Sequence, residues 1–309
     1  MRWFAIVLIG SCVFVGAAQH ENDLLFGAQS GRATVVQPVP HPVRQMSSVL
    51  GRYILDVGLD FYFDPNTGLA QLQSCRVQQV WKTPGIQATR SGIGTVFCDS
   101  GCPNYFDLPT LGTPHHHLLF AANTPGVYVW DVRAINARAR DGSPLGDMEW
   151  VYRVYMVAGS PQRLYGAVNI NSAYQGNPYR RMLTVAIRQN GSTLAQQSLP
   201  PNPDAIYDYM VGFARSGTFD IVAKLEGHLS RKIAGFTLSG AHEINWEFTT
   251  AGDVNNDDLI DDADLLAVLF AFGQAGETPA DVNGDGIVDD ADLLVVLFNF
   301  GATGEGYQP

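Results

Sequence analysis

Charged residues are scarce in this 309-residue chain, at 16%, and cysteine is scarcer still, at four. Low charge combined with 46% apolar residues excludes an intrinsically disordered chain. Lys and Arg are outnumbered 19 to 30 by Asp and Glu, and a net charge of −11 excludes a general nucleic-acid binder. From residue 251 onward there is no Lys or Arg at all, while 11 Asp and 2 Glu put −13 on 59 residues and leave +2 on the first 250. Glycine (32) and proline (17) are at ordinary levels, which rules out collagen-like and low-complexity readings. Beyond the first 18 residues no stretch is long and apolar enough for a transmembrane segment. Also missing are a Gly-x-Ser-x-Gly elbow, a His-Glu-x-x-His pair and a phosphate-binding glycine loop. No catalytic residues are assigned. The length allows two or three domains.

What is present begins with a leader. Met1-Arg2-Trp3 carries one positive charge, an apolar run follows from residue 4 to 15, and Gly16-Ala17-Ala18 precede polar Gln19-His20-Glu21. This is the layout of a secretory signal peptide over residues 1–18, so the mature protein is expected to be secreted. A rival reading takes Ile9-Gly10-Ser11-Cys12 as a lipoprotein box, with anchoring at Cys12. Removal of the leader leaves Cys75, Cys98 and Cys102, and export permits disulfides. Cys98 and Cys102 are spaced to close a small loop, and Cys75 could pair with either; the odd count leaves one thiol over.

The acidic tail is a duplication. DVNNDDLIDDADLLAVLFAFG (253–273) and DVNGDGIVDDADLLVVLFNFG (281–301) align without gaps at a period of 28. Oxygen-bearing side chains recur at loop positions 1, 3, 5, 9 and 12: Asp253, Asn255, Asp257, Asp261 and Asp264, then Asp281, Asn283, Asp285, Asp289 and Asp292. Calcium takes six to eight oxygens, and a twelve-residue loop supplies them from alternate side chains plus the position-7 carbonyl, here Leu259 and Ile287. Two calcium ions are therefore expected, with folding of the tail linked to them. Position 6 demands a sharp turn: Gly286 suits it, whereas Asp258 fits at some cost and is expected to weaken the first loop. Ile260 and Val288 are expected to pack between the loops, and apolar helices are predicted over 265–272 and 293–300, stopped by Gly273 and Gly301.

No helix is predicted ahead of either loop, and position 12 is Asp rather than Glu. Together these features closely resemble a type I dockerin over about 50 residues. That resemblance implies a calcium-dependent, EF-hand-like docking module with a cohesin-like or other extracellular protein partner, of a kind found on many polysaccharide-degrading proteins. The sequence departs from the family where partners are recognised. Positions 10 and 11 read Asp262-Ala263 and Asp290-Ala291, and the helices place Leu269-Phe270 and Leu297-Phe298 where charged contacts are common. This excess apolar surface either packs back on the preceding domain or faces a partner.

Residues 22–250 read as β-sheet: short alternating runs separated by turn residues, with no convincing amphipathic helix. Strands are predicted at 52–57, 61–63, 127–135 and 150–157, with a turn at 64–68. A boundary at Gly159-Ser160-Pro161 divides an N-terminal β-sandwich (22–159) from a second (160–250), ahead of the calcium module (251–303). In the second set, Asn190-Gly191 marks a hairpin between 183–189 and 192–199, followed by strands at 207–213, 218–225, 234–238 and 243–248. Its order of Tyr165-Gly166-Ala167-Val168, Asn190-Gly191 and Ser216-Gly217-Thr218-Phe219 resembles carboxypeptidase-regulatory-like and collagen-adhesin B-type sandwiches, which implies a spacer or stalk.

His115 and His117 share one face if extended, and are candidates for zinc with a third ligand from elsewhere. The His-x-His pattern before Pro125-Gly126-Val127-Tyr128 resembles bacterial surface-anchored domains, some associated with zinc. Glu149-Trp150 and Asn245-Trp246-Glu247 set acids beside tryptophan, as glycan sites do. The leading expectation is a mainly β, secreted, modular, non-catalytic protein with a structural, adhesive or scaffolding role. Its alternatives are a polysaccharide-binding or -degrading protein and a zinc-binding surface protein.

Overall fold

The computed structural model of the chain describes residues 23–36, 43–61, 69–108, 115–171, 173–276 and 278–307. The leader, Cys12 and the turn at 64–68 lie outside the described residues. Within them the chain is mainly β, with two α-helices near its C-terminal end. No described helix is long and apolar enough to cross a membrane.

Three apolar clusters organise the chain. The first lies between strands drawn from residues 24–158. Gly126–Ala139 runs antiparallel to Tyr152–Ala158 on one side and to Leu72–Lys82 on the other. Val43–Val49 serves two sheets: its first half pairs in parallel with 155–158, its second half antiparallel with 52–54. That switch wraps the sheet around Trp130, whose ring lies 4.9 Å from Phe120 and 5.5 Å from Phe97. Cys98 and Cys102 form a disulfide, while Cys75 is free and buried in this core, where loss of water pushes its thiol pKa up.

Tyr152–Ala158 is buried at every position. Tyr152, Val154, Met156 and Ala158 enter the first core, whereas Tyr155 and Val157 enter the second. Its neighbour does the same, sending Tyr128, Trp130 and Val132 one way and Val127 and Val129 the other. A strand covered on both faces loses its apolar–polar alternation, which accounts for the continuous run at 154–158. The chain crosses from one set of strands to the next near Gly159, but one β-layer is common to both cores.

The second core fills a sandwich. One side is the four-stranded sheet Ser192–Leu199, Leu183–Gln189, Gly217–Leu225 and Arg231–Leu238. The other holds Tyr209–Phe213, Gln162–Gly166 and Ala241–Glu243, continued by the pair Val168–Ile170 and Trp246–Phe248. Asn190 and Gly191 turn the hairpin with φ of +52° and +80°, as a two-residue type I′ turn requires. The single strand expected over 243–248 is instead broken. At Ile244 the chain changes partner, and its carbonyl lies so close to Gly166 that a Cβ there would come within 2.2 Å.

The shared layer carries a buried ion pair. Asp131 and Arg153 face each other in register, with both side chains at 0% exposure and two bonds of 2.8 and 2.6 Å. Arg153 also donates to the carbonyls of Asp208 and Pro200, and the Tyr179 hydroxyl donates to Asp131 at 2.7 Å. Every group is satisfied, so the pair pins the second sandwich to the first. Removing one member strands a charge, which costs about 3–5 kcal/mol. Asp131→Ala should lower the unfolding free energy by that amount in urea titration, and a loss below about 1 kcal/mol would contradict this role.

Candidate functional site

Each tail repeat folds as a loop followed by a helix: α1 is Asp262–Ala271 and α2 is Asp290–Phe298. Both helices start three residues earlier than the sequence suggests. Asp261 and Asp289 are N-caps, and the N3 residues Asp264 and Asp292 close reciprocal capping boxes. Gly273 and Gly301 follow the helices with φ of +80° and +82°. The position-8 residues Ile260 and Val288 are fully buried in the third core, but the loops do not pair with each other. Each pairs with the exit of the opposite helix: Gly301 N–H donates to Ile260 O, and Gly273 N–H to Val288 O, both at 2.8 Å.

The two loops repeat one hydrogen-bond pattern. Position 1 accepts the amides of positions 5 and 6, from Asp257 and Asp258 to Asp253 and from Asp285 and Gly286 to Asp281. The position-3 Asn accepts from position 5 and donates to that residue's carboxylate, in both copies. Position 12 reaches back across the loop, Asp264 to Asn255 N–H at 3.0 Å and Asp292 to Asn283 N–H at 2.9 Å. The structure thus gathers the carboxylates and amides of each predicted set into one turn. Among the described residues no three His, Cys, Asp or Glu side chains converge into a metal-holding group by themselves. The carboxylates are turned to backbone amides, and each loop's donor set also draws on an Asn oxygen and a main-chain carbonyl.

That donor set fits calcium. It consists only of oxygens, and four of its carboxylates, Asp253, Asp264, Asp281 and Asp292, are at 0% exposure. Burial raises the pKa of Asp253 and of Asp281, against amide hydrogen bonds that pull both down. Among the described residues no Lys, Arg or His forms an ion pair with Asp264, Asp281 or Asp292. Three buried carboxylates therefore have N–H donors but no basic side chain paired with them among the described residues, a donor chemistry that suits a divalent cation.

The loops, not the helices, dock the tail on the second sandwich. Asp258, at position 6 with φ +74°, accepts from Ser230 N–H (2.8 Å), Ser230 hydroxyl (2.7 Å) and Tyr307 N–H (3.1 Å). Its strained backbone is offset by contacts a glycine cannot make. Asn256 accepts from Gly227 N–H, and Lys224 reaches from the sandwich to Asp253 at 2.5 Å. In the second loop, Arg181 donates to the Asp281 carbonyl at 2.6 Å and Gln175 N–H to the Asn283 carbonyl at 2.7 Å. Lys224, Ser230, Asn256 and Arg181 carry no motif that sequence reading could have caught.

The helices consequently turn outward. Phe270 is 83% exposed and Phe298 82%, flanked by exposed Leu266, Leu269, Phe272, Leu294, Leu297 and Phe300. Of the two dispositions open for this surface, the structure takes the outward one. Asp262 and Asp290 lie exposed at the start of the two helices.

The two histidines that are candidates for zinc lie side by side, with aspartates near each. His117 Nδ1 lies 2.8 Å from Asp56, His115 Nδ1 lies 3.5 Å from Asp60 and 3.8 Å from Asp23, and their rings are 4.5 Å apart. His116 meets Arg90 at 2.8 Å, and burial followed by the Arg90 charge lowers its pKa. Trp246 is buried and donates to the Tyr209 hydroxyl, and Trp150 is half-buried against the first core. Glu149 is exposed and pairs with Arg32.

No family model matches this chain, and no curated protein matches it. Among solved structures, an N-terminal and a C-terminal interface mutant of a type II cohesin–X–dockerin complex from Acetivibrio cellulolyticus are similar. Each is 20% identical at a TM-score of 0.37, covering 47% of this chain and 99% of the other. The Bacillus anthracis TIE protein is 7% identical at a TM-score of 0.22, covering 68% of this chain and 39% of that one.

His228 gives the seam a pH dependence. It is 1% exposed between the Tyr174 and Phe248 rings, and burial, aided by the Arg181 and Lys224 charges against a bond to the Glu226 carbonyl, drives its pKa down to about 4. The unfolded chain takes up this proton near pH 6.5, so stability is full above that pH and falls as pH drops toward 4. The share from this residue is about 3 kcal/mol. Urea unfolding of wild type and His228→Phe between pH 7 and 4.5 should show a shallower decline in the variant; equal slopes would contradict it.

Proposed function

We propose that residues 251–303 are a calcium-dependent, dockerin-like docking module, carried by two non-catalytic β-sandwiches in a secreted modular protein. The supporting observation is the set of buried carboxylates at Asp264, Asp281 and Asp292 with no counter-charge among the described residues. The first ion would be held by Asp253, Asn255, Asp257, the Leu259 carbonyl and Asp264, with Asp261 acting through water. Asp281, Asn283, Asp285, the Ile287 carbonyl, Asp289 and Asp292 would hold the second. Bound calcium would supply positive charge to Asp264, Asp281 and Asp292, which have no basic side chain paired with them among the described residues. The protein's own part is to keep the loops closed, so that α1 and α2 hold their apolar residues out toward a partner.

An exposed surface of eight large apolar side chains, six on the two short helices and two just past their ends, is more than an isolated module needs, and surfaces of this kind mark protein interaction sites. The acids at the helix starts favour an extracellular protein partner with an apolar centre and a basic rim. A scaffolding or adhesive role follows from that surface.

Calorimetric titration with calcium should give a stoichiometry near two, reduced to one by Asp292→Ala. Asp285→Ala should weaken binding more than Asp258→Ala, because position 5 ligates while position 6 docks. Saturating calcium at about 1,000 times Kd should add about 4 kcal/mol per loop to the stability of the module. Absence of heat and an unmoved melting profile in EDTA would overturn the reading.

A further inference from the structure

We infer that Lys224 is a counter-cation built into the first loop, so that this loop stays folded and docked without metal while the second loop depends on its ion. The inference rests on the calcium reading above, which assigns the two loops. They share the side-chain ligand types and most of the hydrogen-bond pattern, so a difference in behaviour must come from what surrounds them and from the few loop positions that differ.

At position 1 the surroundings differ in charge. Lys224 Nζ stands 2.5 Å from Asp253 Oδ2, with side-chain exposures of 4% and 0%. The same ammonium donates to the His228 carbonyl, so it is fixed from two sides. Asp281 holds the equivalent place in the second loop at 0% exposure and has no cation in ion-pair range among the described residues. Arg181 reaches Asp281, but at its main-chain carbonyl, where it leaves the carboxylate uncompensated.

Positions 4 and 6 differ in anchorage. In the first loop the Asn256 side chain takes the Gly227 amide, and the Asp258 side chain takes three donors from Ser230 and Tyr307. Gly284 and Gly286 occupy those positions in the second loop and have no side chain to hold. The first loop is therefore closed by groups that remain when metal leaves. The second is docked only at main-chain carbonyls, by Arg181 and Gln175, and its mutually repelling carboxylates have only the loop's own amides. Loss of calcium would loosen the second loop and the start of α2 that it holds, while the first loop stays docked on the sandwich. Partner release would not require the module to detach.

The test is amide hydrogen exchange on the full mature chain, in EDTA and in millimolar calcium, on wild type and Lys224→Met. In EDTA the wild-type amides of Asp257 and Asp258 should exchange at least about tenfold more slowly than those of Asp285 and Gly286. Calcium should protect all four. Lys224→Met, which keeps chain length and removes the charge, should bring Asp257 and Asp258 in EDTA to the rate of the second loop, with protection restored by calcium. Simultaneous loss of protection in both loops of the wild type would overturn the inference, and that arm needs no variant. Unchanged protection of Asp257 in Lys224→Met would overturn it as well. If calcium alters neither loop, the calcium reading fails, while the wild-type difference in EDTA and its loss in the variant still decide the role of Lys224.

Discussion

Asp253, Asp264, Asp281 and Asp292 bring their carboxylates to zero solvent exposure, and a charge withdrawn from water costs several kcal/mol unless a counter-charge accompanies it. Backbone amides relieve part of that cost. Asp264 and Asp292 also sit in the first turn of α1 and α2, where the helix dipole favours an anion by about 0.3–1 kcal/mol. That is too little for buried charges that also repel each other. The first loop finds a cation on the neighbouring sandwich, Lys224 at Asp253, and on the proposed calcium reading both loops take one from solution; the docking of the module and the direction its helices face accord with that demand.

Because the loops take up the sandwich, the helices cannot. Lys224, Ser230 and Gly227 engage the first loop, and Arg181 and Gln175 engage the second. α1 and α2 pack against each other through Val268 and Val296 and leave their phenylalanines outside. The sandwich is fastened in turn to the first domain by Asp131, Arg153 and Tyr179 inside a layer common to two cores. Continuous buried contact runs from the first core to the module, as suits a surface that must be presented rather than tethered.

The duplicated loops, the helices after them and the β character of the rest were legible because each depends on local chemistry: a fixed spacing of oxygens, a capping residue, an alternating run, an Asn-Gly turn. The shared β-layer was not legible. A strand buried on both faces reads simply as apolar, and nothing local says that Tyr155 and Tyr152 belong to different cores. Asp258 looked like a flaw, since its contribution comes from Ser230 and Tyr307, far along the chain. Lys224 is one residue in an ordinary strand, and only the pairing of Gly227–His228 with Ala251–Asp253 brings it to a loop carboxylate. His115 and His117 fall side by side, as their spacing on a strand suggests, and the aspartates near them, Asp56 and Asp60, come from a distant part of the chain that no local signal reveals.

The differences between the two repeats are themselves informative. Six of the 21 aligned positions differ. Three of these are conservative apolar exchanges, at 259/287, 260/288 and 267/295. The other three put a polar side chain in one copy only: Asn256 against Gly284, Asp258 against Gly286, and Asn299 against Ala271. All three polar members bond outside their own loop and helix. Asn256 takes Gly227, Asp258 takes Ser230 and Tyr307, and Asn299 donates 2.8 Å to the carbonyl of Ala251, in the strand that pairs with the sandwich. A symmetric pair of loops can seat only one of its members in any given contact with an asymmetric neighbour. The polar exchanges then fall at the seam, while the oxygen-bearing side chains at positions 1, 3, 5, 9 and 12 and the outward-facing apolar residues are alike in both copies.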